Sequence, residues 1–302
     1  MLCKKPVAVI GSQMDLGAVR KGVDMGPLAI RHAGLLSRIR DIGYDVKDYG
    51  DILPMVATSQ GNLSMRYEKE INEANERLYR KLLEMYGENA FPIILGGDHS
   101  IAAASVSATA QQHGKIGVIW IDAHGDFNDD TISPTGNIHG MPLSAVCGCG
   151  PDSLVYFTDA RVDPHNVAII GARDLDPAET RKLKQKGVTV FAISDVHTFG
   201  IRKILEEAVA IAGDGTKGIH LSFDMDALDP NNAPGVGTPV LNGLTNREGF
   251  IICEVLCDTN RLLAIDMVET NPLLDHRNAT GTLAAELIIT CLGKTDYQLF
   301  GI

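Results

Sequence analysis

The sequence has few of the features that mark membrane, secreted or nucleic-acid-binding proteins. No apolar run approaches the ~20 residues of a membrane-spanning helix, and the chain passes at once into the strand pattern Val7–Gly11 rather than a secretory signal. Positive charge is in deficit, with 27 Lys and Arg against 38 Asp and Glu, and the net charge of −11 argues against a nucleic-acid partner. The six cysteines lack zinc-finger spacing, and we interpret them as reduced thiols. We therefore expect a cytoplasmic protein that binds neither membranes nor nucleic acid.

Apolar strand patterns alternate with helical patterns along the whole chain. Hydrophobic residues make up 45% of the sequence, which is ordinary for a globular protein with a sizeable core. We predict an α/β fold with three layers and a doubly wound, mostly parallel sheet of about eight strands, in a single domain over residues 1–302. The strand patterns are Val7–Gly11, Tyr44–Gly50 at an edge, Pro92–Gly96, Ile116–Trp120, Val167–Arg173, Val188–Ile193 and the runs that start at Ile219 and Leu262.

Helical patterns fill the connections between these strands. Pro27 suits the first position of one helix, and Asp176 with Pro177 and Glu179 supplies the cap, proline and acid that open another. The first helix has the predicted apolar stripe Leu28, Ile30, Leu35, Leu36 and Ile39. A charged helix over Asn62–Tyr86 has the predicted inward residues Leu63, Ile71, Leu78, Leu82 and Leu83. Further helices are predicted from a cap at Ser100 through Gln112, over Arg202–Ala212, from a cap at Thr245 through Leu256, and over Asn278–Leu292.

Acidic residues and histidines stand where four of the apolar strands end. Asp122, His124 and Asp126 alternate with small or apolar residues, so an extended chain would point all three to one side. Taken alone, such a motif could equally be a polar turn. The other strand ends carry Asp98-His99, Asp224 with Asp226, and Glu269. Parallel strands would gather these groups at one edge of the sheet, where open α/β folds bind ligands, and their mutual repulsion favours cations among them.

The predicted ligands are oxygen and nitrogen donors without thiolate. This donor set favours Mn²⁺, with Co²⁺, Fe²⁺ or Zn²⁺ as alternatives. Six ligands are more than one ion needs, and if Asp122 and Asp224 bridge, each of two ions receives four protein ligands. Such a pair would stand about 3.5–4 Å apart and activate a shared water as a nucleophile. A two-metal phosphoesterase would also need Arg or Lys to clamp phosphate, whereas this site offers chiefly acids.

The motifs around these residues resemble the ureohydrolase family, and within it the arginases. The resemblance spans nearly the whole chain. The matching segments are Gly22–Pro27, Gly97–Ser100, Asp122–Asp126, Gly136–Gly140, Ser222–Pro230, Gly237–Pro239 and Glu269–Pro272.

The resemblance implies a centre with two Mn²⁺ ions per subunit. One ion would be held by His99, Asp122, Asp126 and Asp224, and the other by Asp122, His124, Asp224 and Asp226. In arginases a hydroxide that bridges the metals attacks the guanidinium carbon of L-arginine, which gives L-ornithine and urea. Asp126 would also orient that hydroxide, Glu269 would pair with the guanidinium, and His139 would carry a proton to the leaving amine.

The amino-acid end of the substrate separates arginases from their relatives. Asn128 and Thr135 match positions that hold the α-carboxylate, although a serine is commonly found in place of Thr135. Asp176 and Glu179 match positions for the α-ammonium, and Thr238 matches a pocket residue near the metals. Agmatine has no α-carboxylate, so an agmatinase is the alternative that would not use Asn128 and Thr135. Another guanidino-compound hydrolase and a non-catalytic metal-binding homologue are further alternatives.

The resemblance also implies self-association, since the family commonly forms trimers or hexamers. The chain ends at Ile302 soon after its last predicted helix, without the extended tail of longer arginases. We expect a homohexamer or homotrimer, and favour the hexamer.

Overall fold

The computed structural model describes residues 5–294, so Cys3 and the end of the chain at Ile302 lie outside the described residues. Its strands are β1 Val7–Ser12, β2 Val46–Ile52, β3 Phe91–Gly96, β4 Gly117–Ile121, β5 Val167–Ala172, β6 Thr189–Ala192, β7 Ile219–Asp224 and β8 Leu262–Val268. They form one sheet in the order β2-β1-β3-β8-β7-β4-β5-β6, and every neighbouring pair is parallel. The predicted doubly wound α/β sheet of eight strands is confirmed.

Helices cover both faces of the sheet, as the connections of parallel strands require. In the described part of the chain they are α1 Gly26–His32, α2 Leu35–Asp41, α3 Glu68–Gly87, α4 Ala102–His113, α5 Pro142–Val146, α6 Pro177–Lys186, α7 Ile193–Phe199, α8 Ile201–Gly213, α9 Asn246–Asp258 and α10 Ala279–Cys291. One buried cluster joins α1, α2, α8, α9 and α10 to alternate strand residues such as Val9 and Ile93. A second joins α3, α4 and α5 to the intervening residues such as Ile10 and Ile94. The sheet is therefore the middle of three layers.

Burial explains why the strands are continuous apolar runs. Every residue of β1, β3, β4, β5 and β7 is buried, because helices exclude water from both faces. The edge strand β2 has no buried residue, and pairs of exposed residues separate its partly exposed Val46, Tyr49 and Ile52. The predicted edge position of Tyr44–Gly50 is confirmed.

Two helix predictions were wrong in extent. The helix after Pro27 is broken into α1 and α2 at Gly34, whose φ of +83° is left-handed, and Leu28 is exposed rather than part of the stripe. The charged helix begins at Glu68 rather than Asn62, after Tyr67 at a φ of +58°, and Leu63 is 64% exposed. A residue that precedes a helix does not follow the helical period, so the spacing of Leu63 does not predict whether its side chain is buried.

Smaller corrections concern helix caps and one strand end. Asp98, not Ser100, is the cap before α4, since its carboxylate accepts the N–H of Ser100. Ile193 begins α7 instead of ending the strand β6. The cap at Thr245 is confirmed and forms a reciprocal capping box with Glu248.

The four strands whose ends carry acids and histidines are neighbours in the centre of the sheet, in the order β3-β8-β7-β4. Because all are parallel, their carboxyl ends meet at one edge. None of the helices in the described part of the chain combines the length and the apolarity needed to span a bilayer.

Candidate active site

His99 lies at the centre of a buried group of carboxylates. Its Nδ1 is 3.2 Å from Asp122 Oδ2, 3.0 Å from Asp126 Oδ2 and 3.2 Å from Asp224 Oδ2. The ring is 1% exposed, and Nδ1 has no partner in hydrogen-bonding geometry among the described residues. His99, Asp122 and Asp126 each offer one ligand atom within 4.8 Å of the other two, which is the arrangement of metal ligands. Asp224 Oδ2 joins this group through its distance to His99 Nδ1.

A second group forms around His124. Its Nδ1 lies 3.3 Å from Asp122 Oδ1 and 3.2 Å from Asp226 Oδ2. Asp122 thus faces one group with each carboxylate oxygen, which is the geometry expected of a ligand shared by two ions. Asp224 directs Oδ2 to His99 while its Oδ1 accepts the N–H of Asp226, and its predicted bridging role stays a prediction.

The backbone that presents Asp122, His124 and Asp126 is a turn, not the extended chain that we predicted. The Asp122 carboxylate accepts the N–H of His124 at 2.7 Å, and Asp126 has a left-handed φ of +49°. The strand period of two residues therefore ends with β4. The three side chains still converge, because the turn folds them back over the end of the strand.

The carboxylates of the two groups perturb one another strongly. Burial raises the pKa of Asp126 to about 6, with the charge of Asp122 adding to the effect. Burial likewise raises the pKa of Asp224 well above its usual range, reinforced by Asp226 and Asp122. Burial also disfavours the charged forms of His99 and His124, but the surrounding carboxylates outweigh it and raise both pKa values. Buried carboxylates that are gathered around two imidazoles form a site that suits divalent cations.

The His99 ring is held by residues that the sequence analysis missed. It stacks on Trp120 with ring centroids 4.0 Å apart, and Trp120 Nε1 donates to Asp122 Oδ2. His99 Nε2 lies 2.9 Å from Ser222 Oγ, which itself donates to Asp266. Because Ser222 gives its proton to a carboxylate, it accepts from Nε2–H and leaves the Nδ1 lone pair toward the acids. A signal was available, since Trp120 and Ser222 each stand two residues before a proposed ligand on the same side of a strand.

Glu269 and His139 form a pair beside the metal-ligand groups. Glu269 follows β8 at a left-handed φ of +62° and is 1% exposed. Its Oε1 accepts the N–H of His99 and lies 3.1 Å from His139 Nδ1, whereas Oε2 is buried without a hydrogen-bond partner among the described residues. Burial lowers the pKa of His139, but the Glu269 hydrogen bond and charge outweigh it and raise that pKa to about 9.

A cavity of about 470 Å³ opens over these groups and brings the predicted substrate residues together. Asn128 Nδ2 donates to Asp176 Oδ2 at 3.2 Å, and Thr238 Oγ1 donates to Asp226 Oδ2 at 2.6 Å. Glu179 is buried, and burial raises its pKa to about 7. The sequence-predicted residues that line the cavity are His124, Asp126, Asn128, Thr135, His139, Asp176, Glu179, Asp224, Asp226, Thr238 and Glu269. His99 and Asp122 are buried and do not line the cavity. Ser133 and Arg20, which were not predicted, also line it.

Comparison with known proteins gives consistent matches over almost the whole chain. The model of the arginase family matches residues 5–293. The arginase of Bacillus subtilis (strain 168) is 44% identical over 292 residues, which cover 96% of this chain and 98% of that protein. The native structure of Bacillus caldovelox arginase has a TM-score of 0.93 at 41% identity, with 97% of this chain and 99% of that one covered. The structure of Entamoeba histolytica arginase in complex with L-ornithine has a TM-score of 0.90 at 28% identity, with 97% and 100% covered.

Proposed function

This chain belongs to the arginase family, and from that premise we propose that it hydrolyses L-arginine to L-ornithine and urea with two Mn²⁺ ions per subunit. The observation that carries the proposal is one cavity that is lined by members of both groups of metal-competent donors. The same cavity is lined by Glu269, whose Oε2 is buried with no hydrogen-bond partner among the described residues, and by the polar side chains of Asn128, Thr135 and Asp176. A planar cation with a polar tail is the substrate class that suits this combination.

We assign the ligands as the sequence predicts, with His99, Asp122, Asp126 and Asp224 for one ion and Asp122, His124, Asp224 and Asp226 for the other. When bound, the two ions lower the pKa of a shared water and so supply a nucleophile at neutral pH. Asp126 lines the cavity as well as facing His99, which supports the role of orienting that nucleophile.

Glu269 would receive the guanidinium. Its Oε1 is already engaged by the His99 N–H and by His139, which leaves Oε2 to accept hydrogen bonds from the cation. A charge-assisted bond at a buried site is strong and directional, so it would hold the guanidinium plane relative to the nucleophile.

His139 would deliver the proton that the leaving amine needs. In the metal-free protein the hydrogen bond and charge of Glu269 raise the pKa of His139 to about 9, which favours the protonated imidazole. Glu269 holds Nδ1, so Nε2 is the nitrogen left to donate. Proton delivery matters because an unprotonated amine is a poor leaving group.

The tail residues decide between L-arginine and agmatine. We assign Asn128 and Thr135 to the α-carboxylate, Asp176 and Glu179 to the α-ammonium, and Thr238 to support of Asp226. Agmatine keeps the amine but has no carboxylate, so it would leave Asn128 and Thr135 without a partner. This arrangement favours L-arginine as the substrate and makes agmatinase activity the alternative.

The test is urea release from L-arginine and from agmatine, each with and without Mn²⁺ loading. We expect urea from L-arginine only after loading, with agmatine at least ~100-fold poorer because buried polar groups lose their partner. The Glu269→Gln variant keeps the Oε1 contacts but loses the charge, and we expect it to lose most activity while binding Mn²⁺ normally. Faster turnover of agmatine would replace the proposal by its alternative, and no urea from either substrate would overturn both.

A further inference from the structure

The first turns of α6 hold three consecutive residues of the loop after the metal ligands. Asp176 Oδ2 accepts from Asn128 Nδ2 at 3.2 Å, and Glu179 Oε1 accepts the N–H of Phe127 at 2.8 Å. One turn further on, Lys182 Nζ donates to Asp129 Oδ2 at 2.5 Å. Residues 176, 179 and 182 are spaced by three, so they share one side of the helix. The first two contacts involve residues that we assign to the substrate, whereas the third has no role in that assignment.

The Lys182–Asp129 pair is shielded from solvent. The Lys182 side chain is 12% exposed and that of Asp129 is 15% exposed. Lys182 also lies over the Phe127 ring, with Nζ 5.3 Å from its centroid. A pair held by packing and by aromatic contact is screened less than one on the open surface, so it can fix a geometry.

Asp129 organises the segment that leads to Thr135. Its Oδ1 accepts from the Thr131 N–H, the Thr131 hydroxyl and the Ile132 N–H. Its carbonyl oxygen accepts the N–H of Ser133 at 2.9 Å. Among the described residues, the hydrogen bonds of residues 130–135 run only to Asp129 or to Gly136 and Asn137 that follow. The contact from Asp129 to Lys182 therefore links this segment to the body of the protein.

We propose that Lys182 and Asp129 are positioning residues for the amino-acid end of the substrate. Their ion pair sets the distance between the loop that carries Asn128 and Thr135 and helix α6, which follows Asp176 and carries Glu179. The ion pair thereby fixes the position of the residues assigned to the α-carboxylate relative to those assigned to the α-ammonium. This inference rests on the proposed function and adds a pair that touches no part of the substrate.

The test is the Lys182→Met variant, which removes the cation and keeps most of the side-chain volume. We expect KM for L-arginine to rise about tenfold with kcat within about twofold, because the reacting guanidinium end is unchanged. The dissociation constant of L-ornithine, measured by calorimetry on Mn²⁺-loaded protein, should weaken by the same factor. The binding of agmatine, measured by competition, should stay within about twofold, since agmatine has no carboxylate to misplace.

Two further variants separate positioning from a general effect on the helix. Lys184→Met removes a cation from the same helix at an exposed position that has no ion pair among the described residues, and it should leave all constants unchanged. Lys182→Arg retains the charge, and we expect it to keep KM within about threefold of the wild type. If Lys182→Met fails to fold, Asp129→Asn must give the same split between L-arginine and agmatine.

Equal effects of Lys182→Met and Lys184→Met would overturn the inference, as would equal losses for L-arginine and agmatine. If the wild type hydrolyses L-arginine and Lys182→Met has the same KM as the wild type, this inference is refuted but the proposed function is not. A Mn²⁺-loaded wild type that neither hydrolyses L-arginine nor binds L-ornithine would refute the proposed function as well.

Discussion

At the scale of single residues, the pair of His139 and Glu269 gives the site its most specific pH behaviour. In metal-free protein we expect the His139 ring to titrate near pH 9, compared with an ordinary value of 6.5. Burial opposes this shift, and the hydrogen bond and charge of Glu269 cause it. Because the folded-state pKa is the higher one, the stabilisation is fully present below pH 6.5 and is lost as the pH rises through 9.

The titration can be followed by NMR of the histidine ring protons. Glu269→Gln removes the charge and should bring the pKa of His139 down toward 6.5. If the pKa of His139 is unchanged in the variant, Glu269 is not the cause of the raised value.

The identities of the proposed ligands could be predicted from the sequence, whereas the contacts that the supporting residues make could not. Asp122 directly follows the apolar strand β4 and Asp224 is the last residue of β7, so their place at the sheet edge needs only the parallel topology. The contacts of His99 with Trp120 and Ser222 depend on which strands lie near β3, and no local pattern reports that order. Contacts of this kind, between residues that are distant in the sequence, can be identified only from the three-dimensional structure.

At the scale of elements, the turn after β3 depends on a glycine. A Cβ at Gly97 would stand 1.8 Å from the carbonyl oxygen of Met14, so no side chain fits there without moving backbone. The Gly97 carbonyl accepts the N–H of Glu269, and the next residue, Asp98, donates its N–H to Met14. Gly97 therefore joins the segments that carry His99 and Glu269.

We expect Gly97→Ala to lower the free energy of unfolding by about 3 kcal/mol and to weaken Mn²⁺ binding through displacement of His99. Gly87→Ala is the matched control, because its Cβ would meet nothing within 4 Å at the end of α3. That change should alter stability by no more than about 1 kcal/mol. Chemical denaturation and metal calorimetry measure both effects, and normal Mn²⁺ affinity in Gly97→Ala would contradict this account.

Helix ends and breaks were the least predictable elements. The periodicity of residues 28–39 continued through the break at Gly34, since both α1 and α2 bury one side against the same core. The start of α9 at Asn246 was predicted correctly because Thr245 and Glu248 carry a local capping signal. A helix end that is set by a local capping motif can be predicted from the sequence. A helix break that depends on packing against the core cannot.

At the scale of the whole molecule, the sheet order brings four distant segments of chain to one point. β3, β8, β7 and β4 are neighbours although they span residues 91 to 268. Their ends supply the metal-ligand groups and Glu269, so the site forms only when the whole sheet is in place. Three expectations stay predictions. They are a single domain over residues 1–302, a homohexameric or homotrimeric assembly, and a cytoplasmic location.

The central claim is that two cations share this edge of the sheet. Its most direct test is an anomalous diffraction map from crystals of the Mn²⁺-loaded protein. We predict two manganese peaks, one beside His99 and Asp126 and one beside His124 and Asp226, with Asp122 contacting both. A single peak, or manganese bound away from these side chains, would contradict the account.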